Sequence, residues 1–286
     1  MSGTMLRPIG FKSLDEAMPV LTRGFPRLPL STWTASLDRL RKHGSAHPAG
    51  NAGYLLQGNN RNVGVILTIP SARDSAGGTP HRAVNLSSWY IDPEHRWRAP
   101  RMLQQIVSCD VTLYTDLTPT EPVRAMIGRF GFRVWTEGVL VFALPWFAIG
   151  RAGESHIVPL HGLPSDAFAF PIRRILDEHA ALDCIAGGLW DGRVLHPLIF
   201  SRTRRRGMRV ARLVYAGNRS TVIAHMPAIA RFLLREKILL LAVNADKNEH
   251  SSGSVFTRRP SPAFFKGNRT PPQCDLAYSE YVFLQV

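Results

Sequence analysis

The sequence predicts an α+β protein, a mixed and mainly antiparallel sheet flanked by helices. Three observations predict it: β-rich apolar runs alternate with stretches of helical spacing, tight hairpin chemistry joins the first strands, and a similar element order runs twice along the chain. At 286 residues the chain is about twice the size of an ordinary domain, so two domains are expected, 1–148 and 156–286.

Residues 14–25 and 30–43 read as helices, the second with Leu30, Trp33, Leu37 and Leu40 at helical spacing and Ser31 as a cap. Residues 54–57 and 63–69 are apolar β-rich runs, and Gly58-Asn59-Asn60-Arg61-Asn62 between them is hairpin chemistry. After a polar loop at 71–80, residues 84–91 form a third strand that Pro93 ends. Pro100 suits the first turn of a helix whose apolar stripe is Met102, Leu103, Ile106 and Val107, because its missing N–H needs no partner there. A strand at 111–115, a helix at 122–130 stopped by Gly131, and closing strands at 132–135 and 139–144 complete the first cycle. The segment 146–155, with Gly150 and Gly153, is the expected boundary.

The second cycle has a helix at 168–181 and strands at 185–190, 194–201 and 210–215, the first two joined by an Asp191-Gly192 turn. A helix at 221–237 and a strand at 238–243 follow. Residues 248–272 read as irregular, and 278–284 as a final strand.

Composition narrows the function classes. The 35 Lys and Arg against 21 Asp and Glu give a net charge of +14, a field that favours anionic partners. Cys109, Cys184 and Cys274 are far apart, so neither a disulfide framework nor a cysteine metal site is expected, and a reducing cytoplasm fits best. Arg7, Lys12, Asp15 and Glu16 interrupt the early segment, so no signal-peptide core forms there. The apolar run 139–149 falls far short of the ~20 residues of a membrane span. Gly-x-Ser-x-Gly, His-Glu-x-x-His, phosphate-loop and dinucleotide patterns do not occur, which leaves hydrolase, zinc-protease and nucleotide-triphosphatase readings without support.

Two clusters carry chemistry. Between 84 and 103 a strand ends at Ile91-Asp92-Pro93, a turn carries Arg96 and Arg98, and a helix opens at Ala99-Pro100. Unpaired N–H groups at a helix start, with two forked cations beside them, suit phosphate oxygens; a basic loop without a ligand is the plain alternative. The second cluster is Arg202, Arg204, Arg205, Arg206, Arg209 and Arg212, which with Arg258, Arg259, Lys266 and Arg269 could track a nucleic-acid backbone. No stacking aromatics interleave 202–212, so nucleic acid is the weaker reading, and an anionic acceptor substrate explains the run equally well.

The segment Trp89-Tyr90-Ile91-Asp92-Pro93-Glu94-His95-Arg96-Trp97-Arg98-Ala99 resembles the acyl-CoA-binding motif of the GCN5-related N-acetyltransferase family. Arg96 falls on the motif's Arg/Gln position, Ala99 on its first Gly and Arg101 on its second, and Gly131-Phe132 resembles the family's usual ending to its fourth helix. The resemblance implies an acyltransferase fold, in tandem if the second half is a degenerate copy. It implies that acetyl-CoA or another acyl-CoA is a co-substrate, and that the acyl group passes to an amine or related nucleophile without a metal. It also implies that Tyr90 and Ile91 flank the pantetheine and that the backbone of Arg96, Trp97, Arg98, Ala99, Pro100 and Arg101 holds the pyrophosphate. Ser87, Ser88, Thr115, Asp116, Thr118 and Glu137 are polar residues expected near the open strand ends, with Ser88, Thr115 and Glu137 the candidates for proton handling, although each also reads as a turn, cap or surface residue. Ala99 and Arg101 add bulk where the family has glycine, and Ile127 stands where the family often has an acidic Tyr. A non-catalytic binding protein on the same fold therefore stays open beside the enzyme.

Overall fold

The computed structural model describes residues 5–47, 50–58, 60–73, 81–108, 113–205 and 207–284. Strand β1 (Met5–Ile9) leads through a 3-10 turn into helices α1 (Met18–Gly24) and α2 (Leu30–Ala46), then strands β2 (Gly53–Gly58), β3 (Arg61–Arg73) and β4 (His81–Ile91). Helix α3 (Ala99–Ile106), strand β5 (Leu113–Asp116), helix α4 (Glu121–Ile127), strand β6 (Arg133–Ala143) and helix α5 (Leu144–Ala148) follow. Then come β7 (His156–Pro159), α6 (Phe170–Ala180), β8 (Ile185–Trp190), β9 (Leu195–Arg205), β10 (Met208–Ala216), α7 (Arg219–Ala224) and α8 (Met226–Arg235). Strands β11 (Leu240–Ala245) and β12 (Ser254–Lys266) and helix α9 (Glu280–Phe283) complete the order.

The chain divides into two compact units. The first comprises Met1–Val134, Ser261–Thr270 and Tyr278–Leu284, and the second Trp135–Pro260, Pro271–Ala277 and Gln285–Val286. This differs from a boundary at 146–155. Residues 135–143 of β6 join the second unit, where Gly138–Ala143 pair antiparallel with β11, while Phe264–Lys266 of β12 pair with β5 of the first. Such long-range pairings leave no local signature in sequence, because strand propensity does not name a partner.

In the first unit β1 to β4 pair antiparallel in order, β4 and β5 are parallel, and the end of β12 closes the far edge. In the second, β7 to β10 pair antiparallel in order, β10 and β11 are parallel, and β6 closes the edge. Each unit has its own core. Leu56, Ile66, Leu86, Leu103 and Phe132 are among the buried residues of the first, and Phe142, Leu198, Phe200, Ile229 and Leu233 among those of the second.

Several local expectations hold. The β2–β3 hairpin forms, with Asn59 of its turn outside the described residues, and Gly131 ends the α4 segment at φ 82°. The Asp191 carboxylate accepts the N–H groups of Arg193 and Val194, and Gly192 takes φ 101° in the turn. Others need correction. Residues 278–284 are not a strand: Tyr278 takes a left-handed φ of 53° and a helical turn follows, an ambiguity inherent in short apolar runs. The irregular stretch 248–272 contains β12, whose Pro260, Pro262, Arg258 and Arg259 hide it from propensity. The helix expected at 221–237 is two, with Pro227 in the first turn of α8, and the helix expected at 14–25 begins as a 3-10 turn over Phe11–Ala17. Strands β1 and β7 were not expected, being short and broken by Pro8 and Pro159. The polar loop at 71–80 lies outside the described residues from 74 on, as do 111–112 of the expected fifth strand, Cys109 and Arg206.

Candidate functional site

The site in the first unit begins with two parallel strands that part. Ala83–Leu86 of β4 pair with Leu113–Asp116 of β5, and the pairing then stops while β4 runs on to Ile91. A β-bulge lies at the point of parting: Val65 faces Tyr90 and Leu67 faces Ser87, so Ser88 and Trp89 together oppose Ile66. Ser88 takes φ 51°, a conformation that disfavours a non-glycine residue by about 1–2 kcal/mol. Among the described residues no strand pairs with 87–91 on the β5 side. A hydrogen-bonding edge is therefore open to an extended ligand.

Beside that edge lies a cavity of about 450 Å³, within the usual range for small-molecule sites. Trp89, Tyr90 and Ile91 line it from β4, Ala99 and Pro100 from the start of α3, Val123 and Met126 from α4, and Gly24 and Phe25 from the end of α1. Arg96 and Trp97 line it from the turn before α3. Of the eight expected cofactor-binding residues, Tyr90, Ile91, Arg96, Trp97, Ala99 and Pro100 thus meet around one cavity. Arg98 and Arg101 are not among its lining: the Arg98 guanidinium stacks on the Trp97 ring at 3.8 Å, and Arg101 is exposed on α3.

The turn itself differs from an open phosphate loop. Residues Pro93–Arg98 form a 3-10 helix continuous with α3, in which the Ala99 N–H donates to Arg96 O and the His95 N–H donates to Asp92 O. Those amides are satisfied inside the turn, and Pro100 has none to offer. The cationic group that lines the cavity is the Arg96 side chain.

The end of β4 is firmly held. The buried Asp92 carboxylate accepts from Arg23 Nε at 2.8 Å and Nη2 at 3.1 Å, with Arg61 Nη2 at 3.5 Å. This bidentate pair raises the Arg23 pKa, through the hydrogen bond to Asp92 first, and Arg23 also donates to Asn62 O at 2.9 Å. Burial first, and the nearby Asp92 charge second, raise the Tyr90 pKa, so its phenol stays protonated. Trp89 lines the cavity, and its Nε1–H is buried without a partner among the described residues. An unmatched buried donor costs about 1–3 kcal/mol until an acceptor arrives.

At the base of the parting strands sits a carboxylate that the sequence reading did not single out. Glu280 is 2% exposed; its Oε2 accepts from Ser87 Oγ at 2.7 Å and its Oε1 from Thr118 Oγ1 at 2.9 Å. The Glu280 N–H donates to Asn85 Oδ1 at 3.0 Å, and Asn85 Nδ2 donates to Thr115 Oγ1 at 3.1 Å. Asp116 is buried nearby; desolvation first, and the Glu280 charge second, raise its pKa well above the usual carboxylate value. Thr118 is exposed, so a hydroxyl connects the buried acid with the surface. The available signal was a single carboxylate inside the apolar run Tyr278-Ser279-Glu280-Tyr281-Val282-Phe283-Leu284, since a buried acid is rarely there for packing.

Of the polar candidates, Ser88 lies on the bulge with its Oγ 3.3 Å from Ser87 Oγ, and Thr115 bonds to Asn85. Glu137 is on β6 in the second unit and does not line the cavity. Ile127 is fully buried in the first unit's core.

The second unit repeats the parting strands but not the open edge. Val210–Arg212 of β10 pair with Leu240–Ala242 of β11, a register shift follows between Leu213 and Tyr215, and the strands diverge. Residues 274–276 then take the edge of β10: the Ala216 N–H donates to Cys274 O at 3.1 Å, the Leu276 N–H donates to Val214 O at 2.7 Å, and Tyr215 bridges Asp275. The chain fills its own groove there.

Among the described residues no helix is long and apolar enough to cross a membrane, and no group of three or more potential ligands could hold a metal. No family model and no curated protein matches the sequence. Solved structures do match. A GCN5-related N-acetyltransferase from Anabaena variabilis aligns over 92% of this chain and 72% of its own at TM-score 0.56 and 11% identity. One from Kribbella flavida aligns over 92% and 71% at TM-score 0.54 and 12% identity. The GCN5-related glucosamine N-acetyltransferase region of a fungal multi-domain β-N-acetylglucosaminidase aligns over 93% of this chain and 38% of that one, at TM-score 0.58 and 13% identity. The fold is that of the GCN5-related N-acetyltransferases.

Proposed function

We propose that the protein is an acyl-CoA-dependent N-acyltransferase that acts from its first unit. The observation that carries this reading is the unpaired β4 edge at 87–91 beside a cavity lined by Trp89, Tyr90 and the Arg96 cation. A chain of amides ending in phosphates is what such an edge and cation would hold. Tyr90 and Ile91 would border the pantetheine, Trp89 would donate to one of its carbonyls, and Arg96 would neutralise phosphate charge. With the His95 and Ala99 amides spent inside the turn, the site would rely on that side chain more than on a backbone nest.

Bound acyl-CoA would supply an activated thioester for attack by an amine, the C–N bond forming as the C–S bond breaks and the thiolate leaves to take a proton from solvent. The chain's part would be to orient both reactants and to remove the proton that the amine sheds. Glu280 would accept it from outside the cavity lining, the proton passing through the Thr118 hydroxyl that bonds to its carboxylate. In the second unit residues 274–276 occupy the corresponding edge, which favours a partner domain without its own cofactor.

Calorimetry with coenzyme A tests the reading, followed by thiol release from acetyl-CoA over a panel of amines. Micromolar binding that Arg96→Glu weakens at least tenfold, together with turnover on at least one amine, is the expected result. Absence of binding by the native protein would overturn it. Binding without turnover would favour a non-catalytic protein on this fold, a reading supported by the buried Ile127 at the usual acid position.

A further inference from the structure

The second unit contains a cavity of about 720 Å³ that the proposed reaction does not use. Arg202, Arg204, Arg209, Arg235 and Lys237 line it against only two carboxylates, Asp183 and Glu236. Glu236 is committed to Arg202 at 2.7 Å. Among the described residues none of Arg204, Arg209, Arg235 and Lys237 makes an ion pair.

The strands force two of these charges together. Arg204 and Arg209 are directly opposed in the β9–β10 register, so their side chains leave the same face of the hairpin, and Arg202 shares that face two residues away. Like charges at directly opposed positions destabilise a strand pair. The carbonyls that end α8 offset part of the charge of Arg235 and Lys237, but they do not explain the facing arginines on the hairpin. An anion with several oxygens would turn this repulsion into forked, charge-assisted hydrogen bonds.

We infer that this cavity is a second binding site, for a small ligand carrying two or more phosphate groups. Its concave shape and volume match a small-molecule site. Its lining has no aromatic residue, so it offers no platform on which the bases of a single strand could stack.

Calorimetry with inorganic tripolyphosphate, in parallel with a 20-base-pair DNA duplex, tests the inference. Native protein should bind tripolyphosphate, and Arg204→Ala and Arg209→Ala should each weaken it about tenfold or more. Arg258→Ala, an exposed arginine outside the cavity, should not change the affinity. Arg96→Glu should leave it intact, which separates this site from the first unit's cavity. Tripolyphosphate should also raise the native protein's Tm, and raise it less in Arg204→Ala, while the ligand-free variant unfolds no earlier than the native protein. Three outcomes would overturn the inference: no measurable binding, binding lost with Arg96 instead of Arg204, or duplex DNA bound more tightly than tripolyphosphate and weakened equally by the same variants.

Discussion

Ser87 Oγ donates to Glu280 Oε2 at 2.7 Å, although 193 residues separate the two in sequence. The bond joins the strand position just before the bulge to a carboxylate brought in from the far end of the described chain. If Glu280 accepts the acceptor amine's proton, Glu280→Gln should lower kcat/KM by about 10²–10⁴-fold, while coenzyme A affinity stays near the native value. Equal loss of coenzyme A binding would mark Glu280 as structural instead.

Asp116 makes stability depend on pH in an unusual direction. Its pKa is raised in the folded protein, so the native state holds a proton that the unfolded chain releases above the ordinary value of 3.8. The stabilisation is complete below that value and is lost as pH rises towards the raised one. Asp116→Asn should therefore remove part of this decline, gaining stability relative to the native protein as pH increases through that window. Urea unfolding at successive pH values measures it, and a parallel pH dependence in both proteins would contradict the assignment.

Gly24 is held to its identity by Tyr90. A Cβ at position 24 would lie 2.3 Å from Tyr90 Cγ, so the ring has to leave its place in the cavity wall. Gly24→Ala should cost about 1–3 kcal/mol and weaken coenzyme A binding. Adding Tyr90→Ala should cost much less in that background than in the native one, a coupling that a double-mutant cycle reads directly.

The filled groove of the second unit sets a stoichiometry. Calorimetry on Arg204→Ala, in which the basic cavity of the second unit no longer competes for phosphate, should give one coenzyme A per chain. Leu276→Pro, which removes the N–H bonded to Val214 O, should destabilise the protein by about 1–3 kcal/mol. Two equivalent sites in the Arg204→Ala variant would show that residues 274–276 do not close the edge.

What could be read in the sequence was what short-range chemistry writes there. The Asn- and Gly-rich turn of the β2–β3 hairpin, Gly131 after α4, the Asp191 turn and the Trp89–Pro100 segment all act through neighbours a few residues apart. Six of the eight residues that this reading expected at a cofactor line one cavity. It could not see that the amides of His95 and Ala99 would be spent within a 3-10 turn, because Arg- and Trp-rich turns form either way. Glu280 was hidden for a different reason. Its role comes from packing against Asn85, Ser87 and Thr118, none of them near it in sequence, and the run around it was equally compatible with a strand.

The division of the chain also has a consequence for biogenesis. The first unit needs Ser261–Thr270 for its edge strand and Tyr278–Leu284 for its buried acid, and the whole of 135–260 is made in between. On a ribosome, the half that emerges first is the half that must wait, exposing the unpaired edge of β5 until the second unit has been synthesised. A chaperone or a stalled ribosome would meet the first unit unfinished, and premature termination anywhere before 261 would leave it without its last strand and without Glu280.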